Sequence, residues 1–348
     1  MSHPNGAPLR ADAAASARRW ARCLSAYRTP SHMRSAFELA ATLLPFLGLW
    51  AAALALLEWM PWASLCLALA NAGFLVRLFL IQHDCGHGAF LRSRAAADWL
   101  GRALGVLTLT PYDVWKRYHA LHHGVAGHLD HRGIGDVWTL TAREWRALPR
   151  RGRLQYRLYR HPLVLFGLGP AWVFLVQYRL PLGLEREGAR FWISAMGTNL
   201  ALAVILSGLW AVWGWSAILL IWLPSTLGAA SIGVWLFYVQ HQFEETAWDG
   251  APDWQLHDAA LHGSSHYVLP PLLRWFSADV GVHHVHHLQS RVPFYRLREA
   301  LRDHPALDAA QRLTLRESLA CTRLKLWCEE RRRLVGFAEA RSGGAESA

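Results

Sequence analysis

Apolar residues along this chain gather into four long runs, with the polar residues collected between them. "AFELAATLLPFLGLWAAALALLEW" (36–59) and "ASLCLALANAGFLVRLFLIQ" (63–82) lie back to back near the start. "FWISAMGTNLALAVILSGLWAVW" (191–213) and "SAILLIWLPSTLGAASIGVWLFYVQ" (216–240) form a second pair. Each run has the roughly 20 residues that a helix needs to cross a hydrocarbon core of about 30 Å. The pattern predicts an all-α integral membrane protein: four transmembrane helices in two hairpins, with a helical cap built from the polar segments. Two other apolar stretches, 99–112 and 162–176, are ambiguous. The first is too short to cross and is interrupted by Arg102. The second is broken by Gly167, Gly169 and Pro170, yet by hydropathy alone it passes as a fifth span. Arg77, near one end of its run, is expected to reach out to the interface.

Charge gives these runs a direction. The short turns at Met60-Pro61 and Gly214-Trp215 carry no Lys or Arg, whereas the N-terminal arm, the 83–190 segment and the C-terminal third are rich in Arg. The positive-inside rule then places both termini and the long middle segment in the cytoplasm. The formal net charge of +11 over 348 residues thus reads as an orientation signal, and no nucleic-acid partner is expected. A hydrophobic fraction of 53% and 19 Trp fit a membrane protein with a polar remainder. The five Cys are scattered without a CxxC pair, which points to a reducing compartment. The first 35 residues hold no apolar core of a signal peptide, so no cleaved leader is expected. Three parts follow: an arm (1–35), the main domain (36–300) and a tail (301–348) read as charged amphipathic helix with a solvated "CEERRR" at 328–333.

The histidines carry the chemistry. "HDCGH" supplies His83 and His87, "HALHH" supplies His119, His122 and His123, and "HHVHH" supplies His283, His286 and His287. His241 adds one more at the end of the fourth run. Positions i, i+3 and i+4 of an α-helix lie on one face, so each box presents its imidazoles together. His284 falls about 100° off that face and is left out. Nine imidazoles exceed what one ion accepts, so two metals are expected. Ligand type alone leaves Zn, Fe, Cu and Ni open. Cys85 points off the shared face of its box. For the boxes to meet, 99–112 and 162–176 must both be interfacial or re-entrant, because an odd extra crossing would split the site across the membrane.

These boxes, in this order and with this span layout, resemble those of the membrane-bound fatty acid desaturases, most closely the bacterial acyl-lipid Δ12/ω6-type branch. The resemblance extends from about residue 30 to about 300 and includes "RHPLVLFGLGPAWVF", "FYVQHQFEETAW", "LHGSSHYVLP" and "GVHHVHHLQSRVPFYRL". It implies a cytoplasmic site of two iron ions at an inner membrane, O2 as co-substrate, two electrons per turnover, and a double bond placed in an acyl chain of a membrane lipid. The matching ligands are His83, His87, His119, His122, His123, His283, His286 and His287, with His241 where related desaturases place an additional one. His128, His131, His257, His262 and His266 are expected in solvated or headgroup-contacting loops.

Removing hydrogen from an unactivated methylene needs an oxidant stronger than any side chain, which a redox metal pair and O2 supply. Ligating histidines normally lend their second nitrogen to a carboxylate or carbonyl, and Asp84, Asp136, Glu244, Glu245 and Asp279 are the nearby candidates. The acyl chain calls for a narrow apolar cavity whose depth fixes the bond position. No His-Pro-Gly-Gly heme motif or iron–sulfur Cys cluster is visible, so electrons are expected from a separate donor of ferredoxin or cytochrome b5 type. The Arg-rich stretch 146–160 is a candidate docking face for an acidic donor. A hydroxylase or ketolase of the same di-iron superfamily is the alternative enzyme. A metal transporter or membrane heme protein would place its histidines within the spans, where few lie here.

Overall fold

The computed structural model describes residues 16–133, 136–308 and 311–342. Residues 1–15 of the N-terminal arm and 343–348 of the tail lie outside the described residues. Helix His32–Leu56 starts where the Ser31 side chain accepts the Arg34 N–H, the usual service of a serine N-cap. Helix Pro61–His87 begins with proline at its first turn and ends on Gly88, whose φ of 64° closes the helix at little steric cost. Its last turns therefore run past the apolar run and carry the first histidine box.

Among the described residues three helical stretches are long and apolar enough to cross a membrane: His32–Leu56, Pro61–His87 and Ala189–His241. The third has 53 residues. An unbroken helix of that length would reach about 80 Å, far beyond one bilayer core. Gly214, at φ 65° and ψ −164°, breaks it. Leu209 before the break and Ala217 and Ile221 after it share one buried cluster with Ala53, Leu57 and Ala68, beside the turn joining the first two helices. Both arms of the break thus start from the same end of the bundle. The 99–112 stretch forms a helix, Arg94–Leu107, of only 14 residues. The 162–176 stretch belongs to a bent pair, Arg150–Tyr159 and Val164–Arg179, whose axes differ by 57° and which pass together as a broken span or a re-entrant loop.

Two expectations need correction. Arg77 does not reach out to the interface. It is 2% exposed, pairs with Glu38, donates to Thr42 Oγ1 at 3.1 Å and bonds the Trp275 carbonyl. Charge buried at a span end is tolerated when its partner and hydrogen bonds are present, and here all are. The tail is also not a solvated helix. After helix Leu315–Cys321, strands Leu326–Cys328 and Arg333–Val335 pair antiparallel, and Leu326 and Val335 pack with Leu140, Trp145 and Tyr156. Another short strand, Arg312–Thr314, pairs in parallel with His266–Val268. "CEERRR" is held by ion pairs: Arg143 with Glu329, Arg332 with Asp249 at 2.6 Å, and Arg333 with Glu244 and with Glu339 at 2.6 Å.

Candidate metal centre

Each histidine is aimed by the element that carries it. His83 and His87 end helix Pro61–His87, the second box lies on helix Tyr112–Val125, His241 ends helix Leu223–His241, and the third box forms helix His283–Leu288. The structure brings them into two groups whose ligand-capable atoms lie within 4.8 Å of one another. One group is His83, His87, His119, His123 and His286, and the other is His122, His241, His283 and His287. The second and third boxes are therefore each divided between the two groups. Helical geometry explains the division. At 100° per residue, i and i+4 differ by about 40°, whereas i+3 lies about 60° from i on the other side. His119 and His123 stay together while His122 turns to the neighbouring group, and His283 and His287 stay together while His286 crosses the other way. The groups touch where the rings of His123 and His287 stack at 4.1 Å between centroids.

Within each group the Nε2 atoms converge. His119 Nε2 lies 2.9 Å from His87 Nε2 and 3.1 Å from His123 Nε2, and His123 Nε2 is 3.1 Å from His286 Nε2. His241 Nε2 is 3.1 Å from His122 Nε2 and 3.0 Å from His283 Nε2. A ring nitrogen carries one hydrogen or one lone pair, so it cannot relay a hydrogen bond between two such partners. A shared cation satisfies all of them. Nitrogens about 2.1 Å from one ion and at right angles across it sit about 3 Å apart. His287 Nε2 is buried with no hydrogen-bond partner among the described residues, which also fits a donor waiting for a cation. An all-imidazole set suits a transition metal rather than Mg or Ca.

Protonation agrees with that chemistry. Burial, and after it the neighbouring imidazoles, hold His119, His122, His283, His286 and His287 well below the ordinary histidine value. His123 is lowered in the same way. These rings are neutral near pH 7, as ligation requires. Two outward-facing nitrogens are anchored: His83 Nδ1 lies 3.2 Å from Asp84 Oδ1, and His241 Nδ1 lies 3.1 Å from the Gly263 carbonyl. Asp84 Oδ2 also accepts the Phe294 N–H at 2.7 Å, which ties the first box to the segment after the third.

The other carboxylates are placed differently. Asp136 accepts the Val137 N–H at 2.6 Å, and burial raises its pKa. Glu244 pairs with Arg333, Glu245 is exposed, and Asp279 Oδ1 lies 3.4 Å from Arg274 Nε. The carbonyl of Gly263 was not among the sequence candidates, because a backbone partner leaves no side-chain signature. His128, His131, His257, His262 and His266 lie outside both groups, as do His284 and Cys85.

Against the groups lies an apolar cavity of about 220 Å³. It reaches His83 and His119 of one group and His283 of the other. Its wall includes Thr226, Ala229, Gly233, Phe237 and Gln240, the i, i+3, i+4 face of helix Leu223–His241. Two polar side chains of that wall are hydrogen-bonded. Thr108 Oγ1 donates to Gln82 Oε1 at 2.6 Å, and the Gln240 amide donates to the Val280 carbonyl at 3.2 Å.

Comparison with known proteins gives the family. The fatty acid desaturase family profile matches residues 57–318. A "Fatty acid desaturase" of Bacillus subtilis (strain 168) is 40% identical over 314 residues, covering 90% of this chain and 89% of that protein. An "sn-1 oleoyl-lipid 12-desaturase" of Synechocystis sp. is 28% identical over 247 residues, covering 70% and 68%. From the same organism, an "sn-1 acyl-lipid omega-3 desaturase (ferredoxin)" is 26% identical over 242 residues, covering 64% and 62%. With three long apolar helices, two convergent histidine groups and this match over most of its length, the chain belongs to the fatty acid desaturase family and is an oxidoreductase, a desaturase.

Proposed function

We propose that the chain inserts a double bond into the acyl chain of a membrane lipid, using O2, two iron ions held by the nine histidines, and electrons from a separate donor protein. The observation that carries this reading is the apolar cavity abutting both histidine groups. Bound iron would supply the oxidising power that side chains lack. The protein's part is positioning. From Thr226 to Gln240 the cavity face runs about 21 Å along one helix, enough to hold a long acyl chain extended beside the site. The chain's methylenes exclude water there, and Thr108 and Gln240 spend their donors on Gln82 and the Val280 carbonyl. Asp84 and the Gly263 carbonyl hold His83 and His241 with Nε2 facing inward.

The proposed topology has four crossings, with a break at Gly214 and both termini and the histidine groups on the cytoplasmic side of an inner membrane. Its support is parity: one group unites His119 with His286, so an even number of crossings separates them. Two arms around Gly214 supply that number if the bent pair Arg150–Tyr159 and Val164–Arg179 is re-entrant. A relative named for ferredoxin favours a donor of ferredoxin type, and the exposed Arg150 and Arg151 lie on the face proposed to receive it.

The test is the fatty-acid profile of a host with a compatible donor, expressing the wild type and His286→Ala side by side. A new double bond only with the wild type is expected. A hydroxylated or keto product would refute the acyl-desaturation reading.

A further inference from the structure

Behind the third-box helix lies a second, polar pocket of about 340 Å³ that the metal centre does not use. Arg274, Arg298, Arg302 and Arg312 line it together with Asp279 and Asp308. Two of the arginines are matched: Arg274 with Asp279 at 3.4 Å and Arg312 with Asp308 at 2.7 Å. Arg302 pairs with its own exposed neighbour Asp303 at 3.1 Å, and Arg298 is exposed with no ion pair among the described residues. The pocket keeps a surplus of guanidinium, whose planar fork grips phosphate oxygens in pairs.

Its position says which phosphate. One rim is helix Pro271–Phe276. Phe276 lies so close to helix Pro61–His87 that a Cβ on Gly73 would come within 3.0 Å of its ring, and Phe74 meets the Trp275 and Phe276 rings at 5.8 and 5.0 Å. Gly73 is inside an apolar run, and on the short helix packed against it Leu272 and Leu273 are 66% and 43% exposed. The other rim, helix Phe294–Asp303, is tied to the start of the first span, where Tyr295 Oη accepts the Ser31 N–H at 2.9 Å. The pocket thus lies where apolar spans meet the polar cap, the level at which phospholipid phosphates sit. It is also one residue away from the acyl cavity. Asp279 and Gly281 line the pocket, and Val280 between them lines the cavity. Positive φ at Ala278 (48°) and Asp279 (51°) forms the turn that sends neighbouring residues to opposite sides.

We infer that this pocket binds the phosphate of an anionic phospholipid at the membrane interface. The inference rests on the membrane reading of the apolar helices and not on the reaction. A free phosphate shares the chemistry, but the exposed Leu272 and Leu273 beside the pocket have a use only for a lipid.

Full-length protein in detergent is titrated with phosphatidylglycerol and, separately, with inorganic phosphate, and bound ligand is counted by native mass spectrometry. Wild type is compared with R298Q/R302Q and with the control R150Q/R151Q, which removes two exposed arginines elsewhere. Wild type and control are expected to bind the lipid alike, and R298Q/R302Q about thirtyfold more weakly. If the double variant fails to fold, the single exposed change R298Q carries the test, with about fivefold weaker binding expected. Undiminished lipid binding by the variant that folds overturns the inference. So does inorganic phosphate filling the site as readily as the lipid, or an acidic carrier protein losing affinity for the variant while the lipid does not.

Discussion

Replacing Gly233 by leucine offers a direct test of where the acyl chain runs. A Cβ at Gly233 meets nothing within 4 Å, because the space in front of it is the cavity. Gly233 stands eight residues before His241, about 12 Å along the helix, and seven after Thr226, so a plug there closes off about 10 Å of the cavity face. A zigzag of 1.5 Å bonds advances roughly 1.25 Å per methylene, so that length holds about eight of them. At about 0.8 kcal/mol per buried methylene, the upper bound on lost binding is about 6 kcal/mol. Even a third of it is roughly thirtyfold. The assay is gas chromatography of lipids from a host expressing wild type, Gly233→Leu or the control Gly208→Leu, whose site is exposed and equally free of neighbours. Product from long chains should fall at least thirtyfold in Gly233→Leu alone, with any remaining product shifted to shorter chains. Folding should not be the cause, since leucine in place of glycine favours the helix by about 0.8–1 kcal/mol. Wild-type yields of long-chain product from Gly233→Leu would refute the placement of the substrate along this face.

The division of the boxes predicts that His286→Ala and His287→Ala each lower bound metal by about half rather than abolishing it, which metal analysis of purified protein reads directly. For metal-stripped protein, the burial-lowered histidines contribute stability above the ordinary imidazole value of about 6.5, and this is lost as pH falls below it, because only the unfolded chain then takes up protons. The Tm should therefore drop steeply between pH 7 and pH 5.5, and a flat profile would contradict the buried neutral rings. Glu38→Gln leaves Arg77 buried without its counter-charge and should destabilise by about 3–5 kcal/mol, seen as a lowered Tm, whereas exposed Glu245→Gln should leave Tm unchanged. Truncation after Ala320 removes Leu326, Trp327, Leu334 and Val335, each at most 1% exposed, at about 1.5–3 kcal/mol apiece. That approaches a whole domain's stability, and immunoblots of membranes should show little of the truncated protein.

The parts of this structure legible in the sequence are those governed by local periodicity. The four apolar runs are helical, and i, i+3, i+4 spacing brings each histidine box to one side of its helix. The split of the second and third boxes between two groups follows from the same 100° step, but only once two centres compete for one box. What stayed hidden depends on contacts far apart in sequence. Nothing local tells Arg77 that Glu38, 39 positions away, and the Trp275 carbonyl will meet it. Nearness in sequence also misleads about carboxylates. Glu244 follows His241 by three positions, yet the helix has ended at Gln242, and the side chain turns outward to Arg333. Asp84, by contrast, is still inside a helix, so its direction relative to His83 is fixed.

Burial couples the fold to the chemistry. Helix His283–Leu288 has six residues, too few to persist alone in water. It is held because Val285 is fully buried, Leu288 is 5% exposed, and both belong to the main core with Ile81, Val239 and Phe294. That packing also removes water from His283 and His286, which keeps them neutral. A looser core would let the helix fray and the rings gain protons together, so both orientation and protonation would fail at once. Weakening the packing at Val285 should accordingly lower metal retention before any imidazole is changed. A cavity of about two methyl groups from Val285→Ala, costing about 1–3 kcal/mol, is small enough to leave the spans folded and large enough to show this in metal analysis. Full metal retention in Val285→Ala with a lowered Tm would separate the two roles and break the argument.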